Sequence, residues 1–372
     1  MLPRLTERWC TQLEDRRKTG TLRRLPLTAH RGIDFASNDY LGLAREPLPE
    51  SIFQTPSYSG TTGSRLLTGN RETTEALEAQ WATYLEGECA LLFTSGYALN
   101  SGIFSALCQR DDILLVDEGA HASLKAGCRL SRASLYYFRH NDLEYLENKL
   151  VRLHKHRKPH QAILLVVESL YSMDGDLAPL EKMVKLAELY DAHIVVDEAH
   201  ALGTLGTGRG LSVDEGVAAR CLARIYPLGK ALGCQGAVVV GSSLLREIVV
   251  NFCPSFIYTT GMSPVLQQVI AYRLHQLQTE GHRIVQLHSN MLHAQVTTPI
   301  VSFFPPMGVS VQAWTQQVQQ QGFWVLPIVS PTVQQGTERI RVCLHADHTQ
   351  EQINALWKHL LQKPSSTLTN FV

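Results

Sequence analysis

No charge excess of either sign, no C-x-x-C pair, no internal repeat and no long apolar run occur in this chain of 372 residues. Each absence removes a class of function. Lys plus Arg and Asp plus Glu number 34 each, and a chain without net charge is poorly matched to nucleic acid or a membrane surface as its main partner. A small-molecule partner is expected instead. No apolar run approaches the roughly 18 residues of a membrane span, and the amino terminus lacks a signal peptide's apolar core. The expectation is a soluble, cytoplasmic protein. Cys10, Cys89, Cys108, Cys128, Cys221, Cys234, Cys253 and Cys343 are scattered, several of them inside apolar runs, and read as reduced core thiols of a cytosolic protein. Two nucleotide motifs are also missing. Gly203, Gly206, Gly208 and Gly210 lack the dinucleotide-binding spacing, and Ala231 follows Gly229-Lys230 where a P-loop has Ser or Thr. The His154 to His160 cluster has no carboxylate or thiolate within it and reads as a solvated linker, so no metal is expected.

What is present is a chain of 44% hydrophobic residues, enough for a sizeable core. Its organising stretch begins at His193. A β-branched run ends abruptly in Asp197-Glu198-Ala199-His200, as a buried parallel strand does when it delivers polar groups to its carboxyl end. A second apolar run, Leu222 to Tyr226, leads to Lys230 in a turn of small residues. An aspartate ending one strand and a lysine just past the next suit an enzyme that holds a pyridine ring between them: the aspartate pairs with the ring nitrogen and the lysine bonds the aldehyde of pyridoxal phosphate, PLP. Taken alone, the Asp-Glu-His strand end does not decide, since such ends also bind metals or cap helices.

In chain order, Leu2, Leu5, Trp9 and Leu13 recur at helical spacing among Arg4, Arg8, Arg16, Arg17 and Lys18, predicting an amphipathic leading helix. Its basic residues, extended by Arg23 and Arg24, suit either the phosphates of a carrier or a plain solvated face. Ile33 to Ala36 reads as a short strand. The glycine and hydroxyl loop Ser59 to Arg65 leads to Asn70, expected to cap a helix carrying Leu77, Trp81, Tyr84 and Leu85. Strands are expected at Ala90–Phe93, Ile113–Val116, Ser134–Phe138, Ala162–Val167 and Gly236–Val240, with helices between them near Asp142–His154 and Pro179–Tyr190. This alternation predicts an α/β fold, a mostly parallel central sheet flanked by helices. The turn Thr94-Ser95-Gly96-Tyr97 opens a helix whose unpaired backbone N–H groups make an anion site, and PLP carries a phosphate. After a linking helix, Pro264–Gln278, the pattern becomes that of a smaller α+β carboxyl-terminal domain. Its strands are expected at Pro299–Phe304, Phe323–Ile328 and Arg339–Leu344, with Arg339 and Arg341 on one face. The expected domains are 1–45, an amino-terminal helix and arm; 46–286, the large PLP-binding domain; and 287–372, the small domain. The tail after Lys363 is expected to fray.

Taken together, Asn38-Asp39-Tyr40-Leu41-Gly42, Gly63-Ser64-Arg65-Leu66, Thr94-Ser95-Gly96-Tyr97, His121-Ala122-Ser123-Leu124, His140-Asn141-Asp142, Glu168 through Asp176, Asp197-Glu198-Ala199-His200 and Gly229-Lys230-Ala231 resemble the α-oxoamine synthases. The resemblance is collinear over nearly the whole chain. These are fold-type-I PLP-dependent transferases that condense an amino acid with an acyl thioester. Closest in pattern are members that join L-alanine to a pimeloyl thioester on the route to biotin. The resemblance implies that Lys230 binds the cofactor aldehyde and then removes the amino acid's Cα proton. Asp197 keeps the pyridine nitrogen protonated, His200 hydrogen-bonds the ring's phenolic oxygen and His121 stacks on the ring. Gly96 and Tyr97 hold the phosphate through backbone N–H groups. Ser172 lies near the phenolic side, Asn38 near the substrate, and Arg341 grips the substrate carboxylate as a bidentate pair. Thr260 is implied to reach the neighbouring subunit's phosphate, hence a homodimer.

Two departures from the family pattern stand out. Pro227 occupies the position three before the lysine where the family usually has Thr or Ser, so neither a hydroxyl nor an N–H is offered there. Val329 stands where many relatives carry a basic residue. Three readings stay open at this point: the biotin-route acyltransferase, a sister enzyme using glycine, serine or another acyl chain, and a PLP-binding protein without synthase activity. The acyl donor arrives on coenzyme A or on an acyl carrier protein.

Overall fold

The computed structural model describes residues 4–23, 25, 32–54 and 58–361. Leu2, Arg24 and the tail after Lys363, all named above, lie outside the described residues. The strands are β1 (Ile33–Asp34), β2 (Cys89–Phe93), β3 (Ile113–Asp117), β4 (Ser134–Phe138), β5 (Ile163–Glu168), β6 (His193–Asp197), β7 (Ala223–Pro227) and β8 (Ala237–Gly241). They continue with β9 (Ile300–Phe303), β10 (Phe323–Trp324), β11 (Leu326–Ile328) and β12 (Arg339–Cys343).

The larger of two compact units comprises residues 38–299 and 344–348. It is built on a seven-stranded sheet of order β2-β8-β7-β6-β5-β3-β4. The pairs β3–β4, β3–β5, β5–β6 and β6–β7 are parallel, and β8 runs antiparallel to both neighbours, β7 and β2. The mostly parallel sheet is therefore as expected. Composition explains which strands lie inside it. In β3, ILLVD, every residue is buried, as a strand covered on both faces requires, whereas the edge strand β4, SLYYF, alternates. Core packing joins Leu91, Phe93, Leu114, Val116, Leu164, Val166, Val195 and Ile225 of the sheet to Leu99, Ile103 and Phe104 of the helix Gly96–Leu107.

The smaller unit comprises residues 1–37, 300–343 and 349–372. In it β9, β12 and β11 form an antiparallel sheet with β12 central, while β1 pairs in parallel with β10. Phe35 is fully buried there and meets Phe323 edge-on, with ring centroids 6.1 Å apart. The leading helix forms at Arg4–Lys18, and none of its residues is buried. The expected breaks near 45 and 286 follow the sequence pattern; contacts instead divide the chain at 37, 299 and around 344–348, because β1 pairs with β10. Among the described residues, no helix is long and apolar enough to cross a membrane.

Three local expectations differ from the structure. Asn70 does not cap the following helix, which runs Glu72–Tyr84 after Arg71. Its side chain is taken by Arg65, which donates to Oδ1, and by Glu75, which accepts from Nδ2 at 2.8 Å. The run Leu222 to Tyr226 is not wholly apolar. Buried Arg224 donates to the carbonyls of Leu85 and Glu86, at 2.6 and 3.1 Å, and so ties down the end of the Glu72–Tyr84 helix. Finally, the single strand expected over Phe323–Ile328 is two, broken at Val325, each with its own partner strand.

Candidate active site

The carboxyl ends of β3, β5, β6 and β7 each deliver a chemical group. These are Asp117, Glu168, Asp197 and, three residues past Pro227, Lys230. Crevices at such ends are where open α/β sheets bind ligands. Asp197 is 3% exposed. Both of its oxygens are engaged: Oδ1 accepts the Ala199 N–H at 3.0 Å and Oδ2 accepts Asn100 Nδ2 at 3.1 Å. Burial pushes the Asp197 carboxyl above its ordinary range, opposed by the charge of Lys230 and by the Asn100 amide. This carboxylate is best satisfied by a further positive group.

Asn100 lies on the apolar helix Gly96–Leu107, and its Nδ2 is shared between Asp197 and Ser123 Oγ, the latter at 3.0 Å. Its Oδ1 is buried without a hydrogen-bond partner. Ser123 in turn meets His121 Nδ1 at 2.7 Å. His121 caps the helix Ala122–Leu130 and stands exposed at the rim. Partial desolvation and the Lys230 charge hold its imidazole below the ordinary value, which keeps the ring neutral near neutral pH.

On the other side, His200 Nδ1 meets the Tyr40 hydroxyl at 2.7 Å, and that hydroxyl lies 3.2 Å from Asn38 Oδ1, its acceptor. The structure thus joins Asn38 to His200 through Tyr40, although 160 positions separate the last two. Ser172 is buried in the turn that follows β5, where Tyr171 N–H donates to the Asp176 carbonyl and Gly175 N–H to that of Tyr171, both at 3.0 Å. Gly96 opens its helix behind Ser95, whose hydroxyl accepts from Ala98 N–H. Pro227 packs against this opening: a Cβ on Gly96 would lie 2.8 Å from Pro227 Cγ. Tyr97 and Thr260 are exposed, and Thr260 bridges to Ser64. Arg341 belongs to the smaller unit, buried in the middle of β12 beside Leu326 and Ser302.

Sequence reasoning assigned no role to Asn100, Tyr40 or Glu168 as site residues. Asn100 had one signal, an amide on the otherwise apolar face of a helix. Glu168 had another, an acid closing an all-apolar strand just as Asp197 does. Tyr40 had none, because its partner is distant in sequence.

A buried carboxylate fixed by two donors, a lysine beyond the adjacent strand, a neutral imidazole at the rim and a helix amino terminus bearing glycine have the chemistry to hold PLP. Sheet and site together define a PLP enzyme of fold type I. The chain belongs to the aminotransferase class I and II family, whose model matches residues 30–360, and its cofactor is pyridoxal phosphate. It is 38% identical over 348 residues to the 8-amino-7-oxononanoate synthase of Chromobacterium violaceum, covering 90% of each chain. With that of Hydrogenovibrio crunogenus it shares 38% over 352 residues, 89% of this chain and 86% of the other. Among solved structures, Sphingomonas wittichii serine palmitoyltransferase matches with a TM-score of 0.86 and 26% identity, over 96% of this chain and 97% of that one. The 8-amino-7-oxononanoate synthase of Francisella tularensis gives 0.74 and 25%, over 88% and 96%. The resemblance to the α-oxoamine synthases is borne out.

Proposed function

We propose that this protein condenses L-alanine with a pimeloyl thioester, releasing carbon dioxide and the thiol, to give 8-amino-7-oxononanoate for biotin synthesis. The observation that carries the reading is the identity of 38% with synthases of that name over about nine-tenths of the chain, supported by the acid, lysine and imidazole gathered at the strand ends. When bound, PLP supplies an aldehyde that bonds amines and a protonated ring that accepts electrons from the amino acid's Cα. Asp197 holds the ring nitrogen's proton as a buried counter-charge, and Asn100 and Ala199 keep its carboxylate in place. Lys230 anchors the cofactor and takes the Cα proton. His121, neutral, offers a flat face at the rim, and His200, oriented by Tyr40, donates toward the phenolic side near Ser172. Gly96 and Tyr97 direct backbone N–H groups at the phosphate. Asn38 and Arg341 receive the amino-acid substrate, Arg341 by pairing with its carboxylate.

The same reading includes a cytoplasmic homodimer in which Thr260 serves the partner's phosphate site; its exposure on a single chain supports this. The acyl group arrives on coenzyme A or an acyl carrier protein. A sister activity is the second reading, favoured by the fold likeness to serine palmitoyltransferase. The test is the visible absorption of the bound cofactor on separate addition of L-alanine, glycine and L-serine. A response selective for alanine supports the first reading; one selective for serine or glycine supports the second.

A further inference from the structure

Glu168 has no part in the chemistry above, yet it sits at its centre. It ends β5, is 2% exposed, and is the register partner of Asp197 across the parallel β5–β6 pair. Two carboxyl groups thus stand side by side on adjacent strand ends, both buried. Like charges so placed cannot both ionise without cost, and the group better supplied with donors ionises first. Asp197 has the Asn100 amide, the Ala199 N–H and the Lys230 charge. Among the described residues Glu168 has one donor, the backbone N–H of His121, which its Oε1 accepts. Its other charged and titratable neighbours are Asp117 at the end of β3, Lys230, Tyr171 and, on the His121 helix, Lys125. Burial, then the Asp197 charge, raise the Glu168 carboxyl to about 8.

We propose that Glu168 is a positioning residue: it anchors the backbone of His121 and carries the proton that the two adjacent carboxyl groups share, leaving Asp197 as the anion. The inference rests on the PLP reading of the site but on no particular substrate. An anionic Glu168 would compete with Asp197 for positive charge. A protonated one keeps its carbonyl oxygen as acceptor for His121 and adds no charge. Glu168 thus fixes both the stacking imidazole and the charge of its neighbour.

The test is infrared difference spectroscopy of the holoenzyme during a pH titration, comparing wild type with Glu168→Gln. The wild type is expected to show a protonated-carboxyl band near neutral pH that disappears as pH rises through about 8. The glutamine variant should lack it. Glutamine retains an acceptor for His121 N–H, so its kcat/KM near neutral pH should stay within about threefold of wild type, while Glu168→Ala should lose about tenfold or more at unchanged cofactor content. Absence of the band from the wild type, its persistence in Glu168→Gln, or a tenfold loss in that variant would overturn the proposal. The band needs no substrate, so a wrong amino acid or acyl donor leaves the spectral result intact. Should Glu168→Ala fail to fold, the comparison with glutamine decides alone.

Discussion

At Asp197, shape and charge can be separated. Asp197→Asn keeps the volume and an oxygen for one of the two donors, but removes the counter-charge that the ring proton needs. The expected result is a fall in kcat of about 100- to 1,000-fold in steady-state assays, the scale of losing one preorganised electrostatic partner. An unchanged kcat would mean that another group holds the ring nitrogen. Gly96 and Pro227 allow a test without catalysis. Gly96→Ala would press its Cβ onto Cβ and Cγ of the proline ring, costing about 1–3 kcal/mol as overpacking; in a Pro227→Gly background, which removes both atoms, that cost should largely vanish, as a double-mutant cycle on unfolding would show. Additive losses would contradict the contact. Asp197 and Lys230 were legible in the sequence because each follows a β-branched or apolar run. The pairing of Glu168 with Asp197 was not, because it depends on β5 lying beside β6, and strand order is not written in either strand.

Secondary-structure elements are held at their ends by buried or half-buried polar groups. His140 lies between Asp117 at the end of β3 and Asp176 in the turn after β5, with Nδ1 and Nε2 each 2.8 Å from a carboxylate oxygen. Burial disfavours its charge, but the hydrogen bonds and charges of the two aspartates outweigh that and raise it to about 10. A raised folded-state value adds stability that is complete below the ordinary 6.5 and lost as pH rises to about 10. His140→Gln should therefore flatten the decline of unfolding free energy across that window; an unaltered slope would mean that the clamp is not ionised. Arg224→Ala should cost on the order of 3 kcal/mol in denaturant unfolding, since it strands the Leu85 and Glu86 carbonyls. Element type was readable almost throughout, and Ser134–Phe138 has the expected bounds. Readings failed where a distant residue intervened. Arg65 takes the oxygen with which Asn70 would have capped its helix, and Arg224 places a charge in a buried strand because a helix end needs it.

For the molecule as a whole, the proposed dimer and the proposed reaction are linked through Thr260. Its segment pairs with the Ser59–Ser64 loop through the Ser64–Thr260 bridge and the Gly261 N–H to Gly63 carbonyl bond. Leu67 and Tyr258 nearby are 80% and 84% exposed, an apolar surface that association would cover. Sedimentation should give about twice the chain mass of 41.5 kDa, and Thr260→Ala should weaken cofactor retention without dissociating the dimer; a monomer with full cofactor occupancy would separate the two ideas. The reaction itself is tested by mass spectrometry of the products after holoenzyme, L-alanine and pimeloyl thioester are mixed, with Lys230→Ala as control. The wild type should yield 8-amino-7-oxononanoate and carbon dioxide in equal amounts, and the variant neither. No product with alanine, alongside turnover of serine or glycine, would contradict the proposed reaction.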